Sequence, residues 1–339
     1  MKKIIVTGGC GFIGSNLIKF LLKKNYFVIN IDYVGYSANS YNLKDINKTN
    51  YRFFKINIGN YKKIRQILKK YKPKIIFNLA AETHVDRSID SPVSFVKNNI
   101  LSFFNFLEAL RKEKTKIKLI HVSTDEVYGD LGNSKINARE QHSYNPSSPY
   151  AASKASADHL IKSYIRTYNM PAIITHCSNN FGPNQFPEKL IPKLIYLITK
   201  NKPLPIYGKG TNLREWLFVT DHCRALEIIA RKGKIGESYN IGSGQHISNL
   251  KLAIKILKYT KKKLKINKPI KIQFVKDRPG HDLRYSINSN KLKTKLKWKT
   301  LISINKGIQI TVDWYLKNLR YFSLIKKNDY KKRIGLKND

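Results

Sequence analysis

A β-prone run, Lys3-Ile4-Ile5-Val6-Thr7, passes without a break into Gly8-Gly9-Cys10-Gly11-Phe12-Ile13-Gly14. Apolar residues then recur at helical spacing at Ile13, Leu17, Phe20 and Leu21. Strand, glycine turn and helix in that order leave few choices of fold. Glycines at 8, 11 and 14 let the backbone turn tightly and approach a pyrophosphate resting on the N-terminus of the helix. A second apolar run, Phe27-Val28-Ile29-Asn30-Ile31, follows and ends in Asp32. An acid at that point bonds the adenosine ribose hydroxyls and repels a 2′-phosphate, which favours NAD over NADP. Alone, a glycine triplet is common and Asp32 reads as a turn residue. Together they assign Gly8, Gly11, Phe12, Ile13, Gly14 and Asp32 to a dinucleotide site.

Strand and helix patterns go on alternating. Tyr51 to Ile56 reads as a strand, Ile64, Ile67, Leu68 and Tyr71 as one helical face, and Lys74 to Asn78 as the next strand. It runs into Leu79-Ala80-Ala81, where small side chains let a loop pass close to the cofactor. A helix is expected over 92–112, then a strand from Lys118 to Val122, and another from Ala172 to Cys177. Strands separated by helices imply an α/β fold, a Rossmann-like doubly wound parallel sheet. Residues 1–178 are expected to form mainly the NAD-binding domain and 179–316 mainly a smaller C-terminal α/β lobe that binds substrate. Residues 317–339 read as a basic tail. In the second lobe Tyr207 and Arg214 are expected in loops, and a helix is expected to close the lobe at Ile304, Ile308, Thr311, Val312 and Tyr315.

Two acids stand where the 118–122 strand gives out, in Ser123-Thr124-Asp125-Glu126-Val127-Tyr128-Gly129. Ligands of open α/β sheets bind beyond the carboxyl ends of the strands, and neighbouring carboxyls there raise each other's pKa, which suits one acid and one base. The plainer reading is a solvated turn with Asp125 as a helix cap. Ser148-Pro149 then starts a helix that puts Tyr150 and Lys154 one turn apart, where an ammonium beside a phenol favours the phenolate. The same spacing occurs at Tyr51/Lys55, Tyr196/Lys200 and Tyr259/Lys263, but the first falls in a strand and the others lie outside the nucleotide-binding half.

Charge invites a different reading. Lys and Arg total 64 against 22 acids, a net charge of +42, as in proteins that bind nucleic acid. The lysines are scattered through every segment, however, amid many Ile and Asn, and no basic stripe or reader motif accompanies them. Compositional drift is the expectation, with no specific nucleic-acid partner; a positive field also suits phosphorylated ligands. No apolar run is long enough for a bilayer and the first strand begins without a signal peptide, so no membrane partner is expected. Three widely spaced cysteines point to a reduced, cytoplasmic setting, and the eight histidines show no metal-ligand spacing.

With these motifs placed, the chain resembles the extended short-chain dehydrogenase/reductase superfamily, and within it the dTDP-glucose 4,6-dehydratase family. Beyond the glycine loop and the Tyr/Lys pair, the resemblance rests on Thr124-Asp125-Glu126-Val127-Tyr128-Gly129, Glu82-Thr83-His84-Val85-Asp86-Arg87-Ser88-Ile89 and Asn179-Asn180-Phe181-Gly182-Pro183. Gln185-Phe186-Pro187-Glu188-Lys189-Leu190-Ile191-Pro192 and Arg278-Pro279-Gly280-His281-Asp282 extend it, so that it covers residues 1 to about 316. Epimerases of the superfamily usually carry small residues in place of Asp125 and Glu126. The resemblance implies Tyr150, Lys154 and Thr124 for oxidation at C4 of glucose, Glu126 as base at C5, Asp125 as acid at the C6 hydroxyl, and return of hydride to C6. It further implies that Asn57, Ile58, Ala80, Ala81 and Asn99 meet NAD. His84, Thr124, Asn180, Glu188, Lys189, Tyr207, Arg214, Asn249, Arg278 and His281 are implied to hold the nucleotide sugar. A homodimer packed through 92–112 and 150–168 is also implied, as is a place in deoxysugar biosynthesis. Asn57 stands where the family has aspartate, Asn78 where histidine is usual, and Leu283 where arginine is. Other readings are a UDP-glucose 4,6-dehydratase, a nucleotide-sugar 4-epimerase, which needs neither acid, or a non-catalytic polyanion binder.

Overall fold

The computed structural model describes residues 1–113 and 116–324. The first six strands are β1 (Lys3–Thr7), β2 (Phe27–Asp32), β3 (Tyr51–Lys55), β4 (Ile75–Asn78), β5 (Lys118–Thr124) and β6 (Ala172–Cys177). Three strands of a second lobe follow, β7 (Asn179–Phe181), β8 (Leu204–Tyr207) and β9 (Leu213–Phe218), before β10 (Ser238–Ile241) returns to the first sheet. That sheet is parallel throughout, in the order β10-β6-β5-β4-β1-β2-β3. Strands covered on both faces need near-continuous apolar runs, and Ile4-Ile5-Val6, Ile76-Phe77 and Leu119-Ile120 are buried throughout.

Helices cover both faces. Leu17, Ile18 and Leu21 of α1 (Phe12–Lys23) share one core with Leu226 and Ile229, which lie further along the chain. Ile64 and Leu68 of α2 (Tyr61–Tyr71) share the opposite core with Phe106 and Ile161. After α3 (Val85–Asp90), the helix expected over 92–112 arrives in three pieces: α4 (Val93–Phe95), a π-helical turn (Val96–Leu101) and α5 (Ser102–Arg111). Such turns insert an extra residue into a helix and occur often at functional sites. Next comes α6 (Pro149–Tyr168), started by Ser148, whose hydroxyl accepts from Ala151 N at 3.1 Å, with Pro149 in the first turn.

In the second lobe, α7 (Leu190–Thr199), α9 (Asn249–Leu264) and α11 (Ile304–Lys317) pack around β8 and β9, joined by the short strands β11 (His246–Ser248) and β12 (Ile272–Val275). The segment after 178 also lends β10, α8 (Val219–Lys232) and α10 (Asn290–Leu296) to the first sheet and its core. Two expectations are corrected here. Tyr207 and Arg214 lie on β8 and β9 rather than in loops; buried Arg214 and Glu215 in mid-strand break the apolar pattern that would have marked β9. The tail does not start at 317: Leu319–Leu324 form a 3-10 helix in which Tyr321 and Phe322 are buried, and Tyr321 OH donates to Asn184 O at 2.7 Å. The remainder of the expected tail lies outside the described residues.

β1 lies between β2 and β4, so successive crossovers leave it in opposite directions. A crevice opens at such a switch point, beyond the carboxyl ends of the strands.

Candidate active site

A cleft with about 460 Å³ of space occupies that crevice and runs on between the lobes. Every candidate residue named from the sequence lines it, with one exception. Asn99, on the π-helical turn, is buried behind the wall. Its amide accepts from Glu82 N at 2.8 Å and donates to Glu82 O at 3.0 Å and Ser153 Oγ at 2.9 Å. It therefore ties the loop after β4 to α6.

The dinucleotide end is built from backbone. Gly8 has φ +68°, and a Cβ there would stand 2.8 Å from the Leu79 and Ala80 backbone; one on Gly14 would stand 2.2 Å from Gly8 O. Both glycines are thus required for the loop to close against α1 and the loop after β4. Gly11 precedes α1 without any side-chain cap, which leaves the helix N-terminus to a ligand. Asp32 sits at the end of β2, accepting from Cys10 N at 2.9 Å and Val34 N at 2.7 Å. Burial raises its pKa and those two amides oppose the rise. Asn57 Oδ1 accepts from Gly59 N at 2.7 Å, and Ala80 N donates to Thr7 Oγ1 at 3.3 Å. A cradle that no side chain could enter, closed at one end by a carboxylate, fits a dinucleotide pyrophosphate and ribose.

The acids stand on a single 3-10 turn, Asp125–Tyr128, whose cap Thr124 accepts from Glu126 N at 3.3 Å. Asp125 Oδ2 and Glu126 Oε2 are buried with no hydrogen-bond partner among the described residues. Their surroundings differ. Burial lifts Asp125 well above the usual carboxylate range, and Glu126 and Glu215 push the same way. Burial also raises Glu126, but Arg278, Arg214 and Lys189 pull against it. Two adjacent carboxyls in unlike fields divide into a proton holder and a proton taker.

Tyr150 and Lys154 come from the first turns of α6. Burial and then Glu126 hold the phenol well above its ordinary value, while a hydrogen bond to Thr124 works the other way. Burial lowers Lys154 to about 8, against the pull of Asp158. The phenol's net shift is upward, whereas the expectation from the sequence is a phenolate favoured by the lysine. Its Nζ donates to Val122 O at 2.8 Å and lies 3.2 Å from His121 Nε2, so its bonds run to β5. The three look-alike pairs lie off the cleft. Tyr259 and Lys263, for instance, both bind Asp313, tying α9 to α11.

The far end of the cleft is cationic. Arg278 Nη1 meets Asp86 Oδ1 at 2.9 Å, and Tyr207 OH donates to Asp86 Oδ2 at 3.2 Å. Arg214 donates to Asp282 O at 2.7 Å and packs on the Tyr285 ring at 4.4 Å. Lys189 Nζ donates to Thr83 O at 2.9 Å, and burial lowers its pKa against the pull of Glu188, Glu126 and Asp86. Asn180 Oδ1 lies 3.0 Å from His222 Nδ1, Asn249 opens α9, and His281 Nδ1 lies 2.5 Å from Asp277. Burial and Lys189 keep His84 neutral, so its 3.7 Å approach to Glu188 is no ion pair.

The likeness to known proteins follows the same lines. A family model described as GDP-mannose 4,6 dehydratase matches residues 5–311. The dTDP-glucose 4,6-dehydratase of Salmonella typhimurium is 42% identical over 352 residues, with 98% of each chain covered. The chain belongs to the dTDP-glucose 4,6-dehydratase family. Two solved structures of dTDP-glucose 4,6-dehydratases agree with its fold. The one from Bacillus anthracis, in complex with NAD, is 40% identical with a TM-score of 0.87, covering 96% of this chain and 100% of that one. The one from Streptomyces venezuelae, with NAD and TYD bound, is 35% identical with a TM-score of 0.89, covering 95% and 100%.

For this dTDP-glucose 4,6-dehydratase family chain, the sequence reading passed over residues that shape the cleft. Tyr33 OH donates to Glu82 Oε1 at 2.5 Å, and Tyr36 OH donates to Glu188 Oε1 at 2.9 Å. Arg87 lies 4.2 Å from the centre of the Tyr36 ring and also pairs with Glu188 at 3.0 Å. Tyr33 and Tyr36 thus strap the loop after Asp32 across the dinucleotide end. Two tyrosines within four residues of Asp32 were the available signal. Asp86 went unmarked because a single acid at the start of α3 reads as a cap.

Proposed function

We propose that this protein is an NAD-dependent dTDP-glucose 4,6-dehydratase, converting dTDP-glucose to dTDP-4-keto-6-deoxyglucose and water. One observation carries the reading: two buried carboxyls with unpartnered oxygens share a wall with Tyr150 and a dinucleotide cradle. Loss of water across C5 and C6 is slow until C4 is a ketone and acidifies the C5 proton. The bound dinucleotide supplies the hydride acceptor at C4 and the hydride donor at C6. The chain supplies the rest. Tyr150 takes the C4 hydroxyl proton, with Thr124 bonding the hydroxyl and Lys154 contributing positive charge. Glu126, the carboxyl whose neighbours favour ionisation, takes the C5 proton. Asp125, which holds its proton more firmly, gives it to the departing C6 hydroxyl.

Gly8, Gly11, Phe12, Ile13, Gly14, Asp32, Asn57, Ile58, Ala80 and Ala81 hold the NAD in this account. Arg278, Arg214, Lys189, Tyr207, Asn180, Asn249, Glu188, His84 and His281 hold the nucleotide diphosphate and sugar, where charge-assisted bonds to phosphate are strongest. Side-by-side assay of dTDP-glucose, UDP-glucose and GDP-mannose tests the assignment. Fastest conversion of dTDP-glucose to a 4-keto-6-deoxy product is expected; preference for either other sugar nucleotide would reassign the substrate.

A homodimer belongs to the same reading. Val93, Val96, Leu101 and Phe104 are 59%, 52%, 56% and 39% exposed on the helical stretch expected at the interface. An apolar row of that kind on an outer helix needs a cover, and a second copy presents the matching row. Changing Leu101→Lys together with Phe104→Glu should yield a folded monomer, checked by light scattering and circular dichroism. A wild-type protein that is itself monomeric at micromolar concentration would overturn the dimer.

A further inference from the structure

Behind Tyr150 and Lys154 runs a buried polar string whose other members the mechanism above leaves unused. Tyr150, Lys154 and Asp158 recur one turn apart along α6, and all three are buried. Asp158 is fully enclosed against the sheet. Its Oδ2 accepts from Ser123 Oγ at 2.7 Å and lies 3.2 Å from His176 Nε2. Its Oδ1 has no hydrogen-bond partner among the described residues and points toward His121 Nε2, 3.6 Å away. That same nitrogen is 3.2 Å from Lys154 Nζ. The other ring nitrogen of His121 meets the Asn78 amide at 3.0 Å, which fixes the ring between β4 and β5. An enclosed carboxylate is costly unless a charge compensates it, and an apolar side chain would fill this space more cheaply.

We propose that Asp158 is the counter-charge of Lys154: a positioning residue whose carboxylate, acting across His121, keeps the lysine ammonium charged and fixed in the active-site wall. The groups facing Asp158 are His121 and Ser123 on β5, His176 on β6, Lys154 on its own helix, and Tyr144 from the preceding loop at 3.3 Å. Tyr128 reaches the string through His176, at 3.1 Å, and packs edge-on against Tyr144, while Cys177 on β6 acts on Lys154 in the same direction as Asp158 but more weakly. Burial pushes Asp158 up, but its hydrogen bond with His176 and the nearby Lys154 ammonium pull it down, and the net shift is downward. Burial and Lys154 keep His121 neutral, so it stands between the Lys154 ammonium and the Asp158 carboxylate without adding a charge. Asp158 raises the Lys154 pKa; without its charge the ammonium is lost at lower pH.

Only the effect on turnover rests on the dehydratase reading, so the test has two arms. The first follows the Lys154 side-chain resonance of protein labelled with [ε-13C]lysine, assigned by its absence in Lys154→Arg, through a pH titration without substrate. In Asp158→Asn the midpoint should fall by about one pH unit or more, tenfold in the protonation equilibrium. The second arm measures pH profiles with dTDP-glucose. The alkaline fall of kcat should move to lower pH by the same amount while KM holds. An unchanged Lys154 midpoint would overturn the proposal even if kcat drops, because a merely structural residue lowers activity without moving that titration. A shifted midpoint in a protein inactive on all three sugar nucleotides would support the proposal and discard the dehydratase reading. Should Asp158→Asn fail to fold, Asp158→Ser is read by the same titration, and an unmoved midpoint there overturns the proposal equally.

Discussion

Glu126→Gln should lower kcat by about 10²–10⁴-fold, the span over which general acid–base groups contribute. The amide keeps the size of the carboxyl and its place on the 3-10 turn, but cannot accept a proton from C5. Oxidation at C4 does not use Glu126, so the 4-keto-glucose nucleotide should accumulate on the enzyme, visible by acid quench and mass spectrometry. Asp125→Asn should behave differently, allowing C5 exchange with solvent while slowing loss of the C6 hydroxyl. Unfolding is not the cause in either case. Burial raises both carboxyls, so the folded state binds their protons more tightly than the unfolded chain. Stability then falls as pH rises from the unfolded carboxyl value through the folded one, and an amide escapes that cost. At neutral pH the Gln variant should melt no lower than wild type. A variant that dehydrates at the normal rate would reduce the paired acids to a turn.

Tyr150→Phe should cost a similar factor, about 10²–10⁴ in kcat, with KM close to wild type. Only a hydroxyl is removed; the ring keeps its edge contact with Phe95, at 6.3 Å between centroids, so the start of α6 stays packed. The control is Tyr259→Phe. Its hydroxyl serves Asp313 on α11, and losing that bond should reduce stability by about 1 kcal/mol without touching the chemistry. Equal loss of activity in the two variants would mean that the Tyr150/Lys154 pair was an accident of a lysine-rich chain.

Much of the nucleotide-binding half was legible because parallel strands buried on both faces leave apolar runs that little else mimics. Strands over 3–7, 27–31 and 74–78 fall where those runs lie. The second lobe was harder: β9 carries Arg214 and Glu215 inward, and β7 and β11 are too short to show a period. Lysine content hid the tail boundary, since Tyr321 and Phe322 are buried from a segment that otherwise reads as basic coil. Within the site, residue types and spacing placed the wall but not the bonds. Asn99 bonds to Ser153 on α6, and Lys154 bonds to the backbone of β5. Both depend on contacts between residues far apart in sequence, such as the 33-residue separation of Lys154 and His121, which no local pattern encodes.

The central claim is that oxidation at C4 serves an elimination across C5 and C6 in one active site. Incubation of the wild-type protein with dTDP-glucose in heavy water, followed by NMR of the product, tests it most directly. The account predicts a 4-keto-6-deoxy sugar carrying solvent deuterium at C5, because Glu126 removes that proton and the position is later reprotonated from exchangeable groups. A 4-epimer with its C6 hydroxyl in place and hydrogen retained at C5 would contradict it, and would leave Asp125 and Glu126 without a chemical role.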